Sequence, residues 1–526
     1  MCEPYMDEKG HWNDEIFNRC YVGPDDKEFR FFDIIKRDDV AAFEEYLRSS
    51  HCFTHHRMLP FVYAKTFDES GTPWTVTVHR GSIGVLEALL KYDDYGDGDY
   101  REGWDRSQPM ATQWHRQILH RAIEKGQTKV VRYLIGRPGA DIHQRDSGEG
   151  GGTPITTACF ELGKCSGGDD MTLAAAVDKF EEIVVLLLDS GASARDEYRA
   201  KAAYTEKHGQ EVLVSTTLSL AVSRARPPLL RRLIEEGADA DTPVSSDWLE
   251  EEQDITLLHT ASRHHTVAAV TFLLERQPEG PAMAQRRDGQ QGMLPLHCAA
   301  AGLSSSHRLA TGRYDDAAVT RHAVETIKAL LPYNGIHERR ARDGKSALHL
   351  AIEYFEKPFS GYDASCYDPV VRLLLDHGAN ACDLADGGNT PLHCALRWGS
   401  SVGVVRLLLG GGARADARNH EGDTPVHLAA GMNRFIPGRR DETPEDITAR
   451  QQCLGTRQQE IMRLLLESLG RGGTEIMDQP NKEDKSPRQI EELRASENQR
   501  RREMECFRRE RIQDEIRLAS MTDDAD

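Results

Sequence analysis

The feature that most constrains this chain is a short phrase that returns in register along its length. It reads TPLHCAL from Thr390 and TPVHLAA from Thr424, and it recurs as LPLHCAA from Leu294, SALHLAI from Ser346 and TLLHTAS from Thr256. Looser versions are TTLSLAV from Thr216, TPITTAC from Thr153, QILHRAIEKG from Gln117 and TPWTVTVHRG from Thr72. Most are followed by a second apolar segment, such as EIVVLLLDSGAS, LLRRLIEEGADA, VVRLLLDHGAN or VVRLLLGGGARA. Such repetition decides the architecture first, because a unit this small buries its apolar face only against its neighbours.

The physics of one unit is legible in residues 390 to 413. Thr390 caps a helix that Pro391 opens, since proline at the first helical position gives up no needed donor and brings its φ preset. After Gly399 a second helix sets Val404, Val405, Leu407, Leu408 and Leu409 on a buried stripe. The glycines at 410 to 412 supply the left-handed backbone that ends it.

These phrases closely resemble the ankyrin repeat, whose signature is T-P-L-H-x-A with a period of about 33 residues. The resemblance covers about residues 29–495; starts at Ser346, Thr390 and Thr424 lie 44 and 34 positions apart, the first stretched by an insertion. It implies an all-α ankyrin-repeat solenoid of stacked helix-turn-helix units joined by extended finger loops, with about ten repeats and a partial C-terminal unit. The expected organisation is a leader at 1–28, the array with insertions at 29–495, and a charged helical tail at 496–526. FRFFDIIKRDDVAAFEEYL, 29 to 47, reads as the opening cap, with Phe32, Ile34, Ile35, Val40, Phe43 and Leu47 as its apolar frame. SPRQIEEL, 486 to 493, begins like another unit but puts Glu491 and Glu492 where Ala429 and Ala430 stand one unit earlier, as a terminal cap does.

The adjacent His393 and Cys394 raise the question of catalysis or metal binding. Six units share the histidine, as His120, His259, His297, His349, His393 and His427, while Thr75, Thr156 and Ser219 fill the slot elsewhere. The slot of Cys394 is instead held by Arg121, Thr260, Leu350 or Leu428, which does not preserve a nucleophile. Consecutive helical residues point about 100° apart, so the pair forms no activated thiolate. The family resemblance implies that the histidine ties neighbouring repeats through backbone contacts.

The insertions fall into two classes. Fingers late in the chain run 15 positions, from Leu375 to Thr390 and from Leu409 to Thr424, whereas Leu47 to Thr72, Leu90 to Gln117 and Leu188 to Thr216 span 25, 27 and 28. The second class lengthens the link between paired helices in the units starting near Thr153, Leu294, Ser346 and Thr424; several of these links look helical, as in YDDAAVTRHAVETIKALL at 314 to 331 and TPEDITARQQ from Thr443, which predicts extended outer helices there. The insertion KYDDYGDGDYREGWDR, 91 to 106, sets aromatics among carboxylates. Tyr95, Tyr100 and Trp104 are candidate partner-binding anchors, and Asp97 and Asp99 candidate steering charges, because exposed Tyr and Trp are favoured at interfaces. HCFTHH, 51 to 56, places His51 and His55 on one helical face but has no clustered Cys or acidic partner nearby. FELGKCS, 160 to 166, fails as a phosphate loop at Ala158 and Cys165.

A formal charge of −19 opposes a phosphate-binding surface and excludes nucleic acid as the expected partner, favouring a protein whose surface is basic or neutral. Eleven scattered cysteines, several inside apolar phrases, read as reduced thiols in the cytoplasm or nucleus. The start MCEPYMDEKG has no export signal, and IVVLLL at 183 to 188 is too short to span a membrane. The expectation is a non-catalytic scaffold, adaptor or inhibitory subunit with no catalytic residues, metal or cofactor. The alternative is a metal-dependent enzyme whose site is built on the inserted segments.

Overall fold

The structure, a computed structural model, describes residues 34–49, 73–94, 118–137, 140–145, 151–165, 170–201, 212–241, 244–246, 252–276, 278–289, 291–302, 316–355, 368–398, 401–432 and 444–523. It divides into two compact units, Met1–Ala240 and Asp241–Asp526. Both are built of stacked helix pairs in the all-α ankyrin pattern.

In the first unit the opening repeat contributes α1 (Val40–Ser49), with Ile35 and Phe43 fully buried. Then come α2 (Pro73–Arg80) with α3 (Ile83–Asp94), helical residues 118–124 with α4 (Thr128–Ile135), α5 (Pro154–Gly163) with α6 (Asp170–Asp189), and α7 (Thr217–Ala221) with α8 (Pro227–Glu235). Polar bonds pass from one repeat to the next. Asp38, at φ 52, accepts the Gly84 and Val85 N–H groups at 3.0 and 2.8 Å, closing the start of α3, and Ser82 Oγ donates to Ile35 O at 2.6 Å. The long finger before Thr216 is a hairpin, β1 (Glu197–Lys201) paired antiparallel with β2 (Val212–Thr216).

The second unit opens with a hairpin of β3 (Val244–Ser246) and β4 (Glu252–Ile255), followed by α9 (Leu257–Arg263), α10 (Val267–Glu275) and the short α11 (Glu279–Ala284). Four pairs come next: α12 (Pro295–Ala301) with α13 (Asp316–Leu330), α14 (Ala347–Phe355) with α15 (Asp368–Asp376), α16 (Pro391–Trp398) with α17 (Val402–Gly410), and α18 (Pro425–Ala430) with α19 (Pro444–Leu469). A short α20 (Gly473–Ile476) leads to α21 (Pro487–Asp523), which runs unbroken through residue 496, so the charged tail helix continues the first helix of the last repeat.

Three of the four lengthened links do extend the outer helix. These are α6 with 20 residues, α13 with 15 and α19 with 26. The fourth does not: α15 has 9 residues and opens at Asp368-Pro369, where proline's missing donor suits a helix start. Among the described residues no helix is long and apolar enough to cross a membrane.

Each finger in the second unit closes on a left-handed residue two positions before the cap: Asp254, Gly292, Gly344, Gly388, Gly422 and Asp484 all have positive φ. At Gly388, φ is 71 and a Cβ would come within 2.8 Å of His420 on the next finger. Successive tips then join backbone to backbone. Arg342 N–H donates to Gln291 O at 3.1 Å, Asp386 to Asp343 O at 2.9 Å, His420 to Gly387 O at 3.0 Å and Lys482 to Glu421 O at 3.1 Å. Gly388→Val is therefore expected to cost about 1–3 kcal/mol in urea unfolding, from strained backbone plus a displaced neighbour. Gly410→Ala, at an exposed helical position with no neighbour within 4 Å, should be neutral or stabilising by up to about 1 kcal/mol.

Candidate interaction surface

The histidine of the repeated phrase has its partners set by helix-start geometry. Thr390, just ahead of α16, presents its N–H to His393 Nδ1 at 3.2 Å and its hydroxyl to the same nitrogen at 2.8 Å. A backbone N–H can only donate, so Nδ1 accepts and Nε2 carries the proton. Nε2–H then donates to Asp423 O, on the next finger, at 3.1 Å. The arrangement repeats at His259 toward Met293 O, His297 toward Glu338 O, His349 toward Asn389 O and His427 toward Gln479 O, at 2.9–3.1 Å. In the first unit His120 reaches Gln144 O at 3.2 Å and Thr157 Oγ1 at 3.0 Å.

Where the slot holds a shorter side chain, only the local half of this device survives. Ser219 Oγ accepts Thr216 N–H at 2.9 Å and Ser219 N–H donates to Thr216 Oγ1 at 3.1 Å, while Thr156 Oγ1 donates to Thr153 O at 2.9 Å. In the last repeat the slot is Gln489, whose Oε1 accepts Ser486 N–H at 2.9 Å.

Burial pushes the imidazoles of His259, His297 and His349 down to about 4, and lowers His393 and His427 in the same direction. Protonation would also remove the Nδ1 acceptor. Cys394, 6% exposed, has its thiol pushed up to about 11 by burial, and Cys159 up to about 12. Both are neutral thiols at pH 7, as packing residues are and attacking nucleophiles are not.

What remains accessible is the polar finger edge and the outer helices. Arg342, Asp386, His420, Glu421, Lys482 and Glu483 are exposed along the tips of the second unit. On the outer side Arg406 pairs with Glu460 at 2.6 Å and Arg463 with Glu460 at 2.8 Å. The large apolar side chains exposed among the described residues are Leu384 on a finger and Leu493, Met504 and Phe507 on α21.

The candidate anchors Tyr95, Tyr100 and Trp104, with Asp97 and Asp99, lie outside the described residues; α3 reaches Asp94, just short of them. HCFTHH also lies outside them. Among the described residues no group of three or more His, Cys, Asp or Glu side chains gathers as metal ligands would. Cys165, once weighed as part of a phosphate loop, is a buried thiol just past the end of α5.

Two segments match models of one repeat family: residues 361–437 match "Ankyrin repeats (3 copies)" and residues 116–147 match "Ankyrin repeat". Among solved structures the chain is similar to the crystal structure of the ankyrin repeat domain of Bcl-3, described as a unique member of the IkappaB protein family. The identity is 23%, over 53% of this chain and 94% of that one, with a TM-score of 0.32. No curated protein matches.

Two outcomes are expected from the histidine geometry. His393→Ala should lose about 1–3 kcal/mol in chemical unfolding, because it leaves a cap and a finger carbonyl short of partners, while Cys394→Ser should fold with little change. With folded values lowered, stability is intact above the ordinary histidine value of about 6.5 and falls as pH drops toward the folded values, by about 1.4 kcal/mol per pH unit for each such histidine. His349→Gln, which keeps an amide at the cap as Gln489 does, should flatten the dependence of the urea midpoint on pH between about 7 and 5; an unchanged slope would contradict the assignment.

Proposed function

We propose, from the premise that this chain is an ankyrin-repeat protein, that it acts without catalysis as an interaction scaffold, adaptor or inhibitory subunit for a protein partner. The observation that carries this reading is the commitment of the recurrent His and Cys residues to the interior. The described histidines of the phrase sit between a helix start and the next finger, and the Cys394 and Cys159 thiols stay protonated, so the chemistry-bearing motif is spent on stacking. Variation between units then lies in the fingers and the extended outer helices.

The enlarged fingers of the amino-terminal half, within an array taken as residues 29–495, are the proposed contact region, with Tyr95, Tyr100 and Trp104 as anchors and Asp97 and Asp99 steering. The acidic balance of the chain supports a basic protein surface as the partner and argues against nucleic acid. The proposed site of action is inside the cell, in the cytoplasm or nucleus, where scattered cysteines remain reduced.

The test starts with a tagged pull-down of the full chain and identification of its partner by mass spectrometry. Trp104→Ala should then weaken binding about thirtyfold or more, since aromatic anchors commonly contribute about 2 kcal/mol on truncation, and its melting temperature should be unchanged. Asp97→Asn with Asp99→Asn should slow association mainly at low salt, because rim charges act on encounter and not on the docked state. Unaltered affinity in Trp104→Ala would move the contact region to the inner helices or later insertions.

A further inference from the structure

Two arginines in the link between α7 and α8 have opposite circumstances. Arg226 is richly paired: its N–H donates to Glu181 Oε1 at 2.6 Å, and its guanidinium meets Asp178 and, at 3.2 Å, Glu181 Oε2. Arg224, two residues earlier, makes no side-chain hydrogen bond or ion pair among the described residues, and its Nε is shut off from solvent without an acceptor. Burial pulls its guanidinium down to about 10, a large departure for a group that ordinarily stays charged.

Among the described residues, the surrounding carboxylates are already paired. Glu161 is taken by Lys164 at 2.9 Å, and Asp178 and Glu181 by Arg226. Cys165 is the ionisable group that bears on Arg224, but burial pushes its thiol up to about 11, so it is neutral at pH 7. The wall is rigid: a Cβ on Gly163, the last residue of α5, would meet Leu220 O at 2.6 Å, and Ser223 Oγ lies 3.5 Å from Gly163 O. Arg224 is nevertheless only partly covered as a residue, and of its nitrogens only Nε is among the buried atoms without a partner.

We propose that Arg224 anchors an oxyanion site at the junction of α5, α6 and α7, receiving a carboxylate or phosphate group presented by a bound protein. Buried charges in proteins are paired, and a planar guanidinium is matched to carboxylate and phosphate through parallel hydrogen bonds. An unpaired Arg224 destabilises the free chain and gains its partner on binding. The site is independent of the amino-terminal finger reading, since it requires no residue between 91 and 106.

The experiment measures thermal unfolding of the full chain, as wild type, Arg224→Met and Arg224→Lys, in sodium chloride, sodium acetate and sodium phosphate at equal ionic strength and pH. In chloride, Arg224→Met should melt higher than wild type, because a linear apolar side chain replaces an unpaired charge. Acetate or phosphate should raise the wild-type melting temperature by about 2 °C or more beyond any rise in the Met variant, and Arg224→Lys, lacking the fork, should respond less than wild type. A response to acetate alone assigns a carboxylate and to phosphate alone a phosphoryl group; a response to both supports the site for either. A lower melting temperature for Arg224→Met in chloride, or equal salt responses in wild type and Met variant, would overturn the proposal.

Discussion

In the second unit the stack depends on one bond type, the Nε2–H of a buried histidine donating to a carbonyl of the following finger. The same ring accepts the cap N–H and hydroxyl on Nδ1, so a single side chain closes its own helix and positions its neighbour. The acceptor alternates between residues just before the next cap, such as Met293, Asn389 and Asp423, and residues further upstream, Glu338 and Gln479. A common geometry underlies both. In both cases the acceptor belongs to the finger that follows, so each imidazole is directed into that finger.

That bond works only with a neutral ring, and neutrality follows from where the ring sits. At 0–2% exposure, as for His259, His297, His349, His393 and His427, the charged form loses its hydration and also loses its acceptor nitrogen. The finger complements it, since a left-handed residue two positions before the cap turns the chain so that one arm offers its carbonyl inward while the tip pairs with the next tip. Glycine suits that station, yet Asp254 and Asp484 also occupy it, at φ 58. Asp and Asn side chains tolerate this region better than most.

Much of the fold was legible because the signals were local. The Thr-Pro starts, the apolar stripes and the glycine stops follow from propensities acting within a few residues; α13 begins within two residues of the periodic segment that announced it, and α19 at the proline of its Thr-Pro start. Less local facts were hidden. The link near Ser346 is lengthened like the others, yet its outer helix starts at Asp368, where proline at 369 sets the start. The acceptor of each histidine, the role of Gln489 and the isolation of Arg224 depend on side chains brought together by stacking, which no spacing encodes. Of the candidate site, the residue types that favour an interface could be read at Tyr95, Tyr100 and Trp104, while their arrangement could not.

The positions of the insertions follow from the same bonds. A histidine tie involves the cap, the first turn of the inner helix and the finger base, so added residues there would break two repeats at once. Residues added between the paired helices, as before α13 and α19, or within the finger, as at α11, leave the tie intact. Because each bond links only consecutive units, the stability change from an insertion stays with its neighbours, as nearest-neighbour energetics require. Surface can therefore be added one repeat at a time without renegotiating the interior, and the two classes of insertion occupy the two places where the stacking bonds leave the chain free to lengthen.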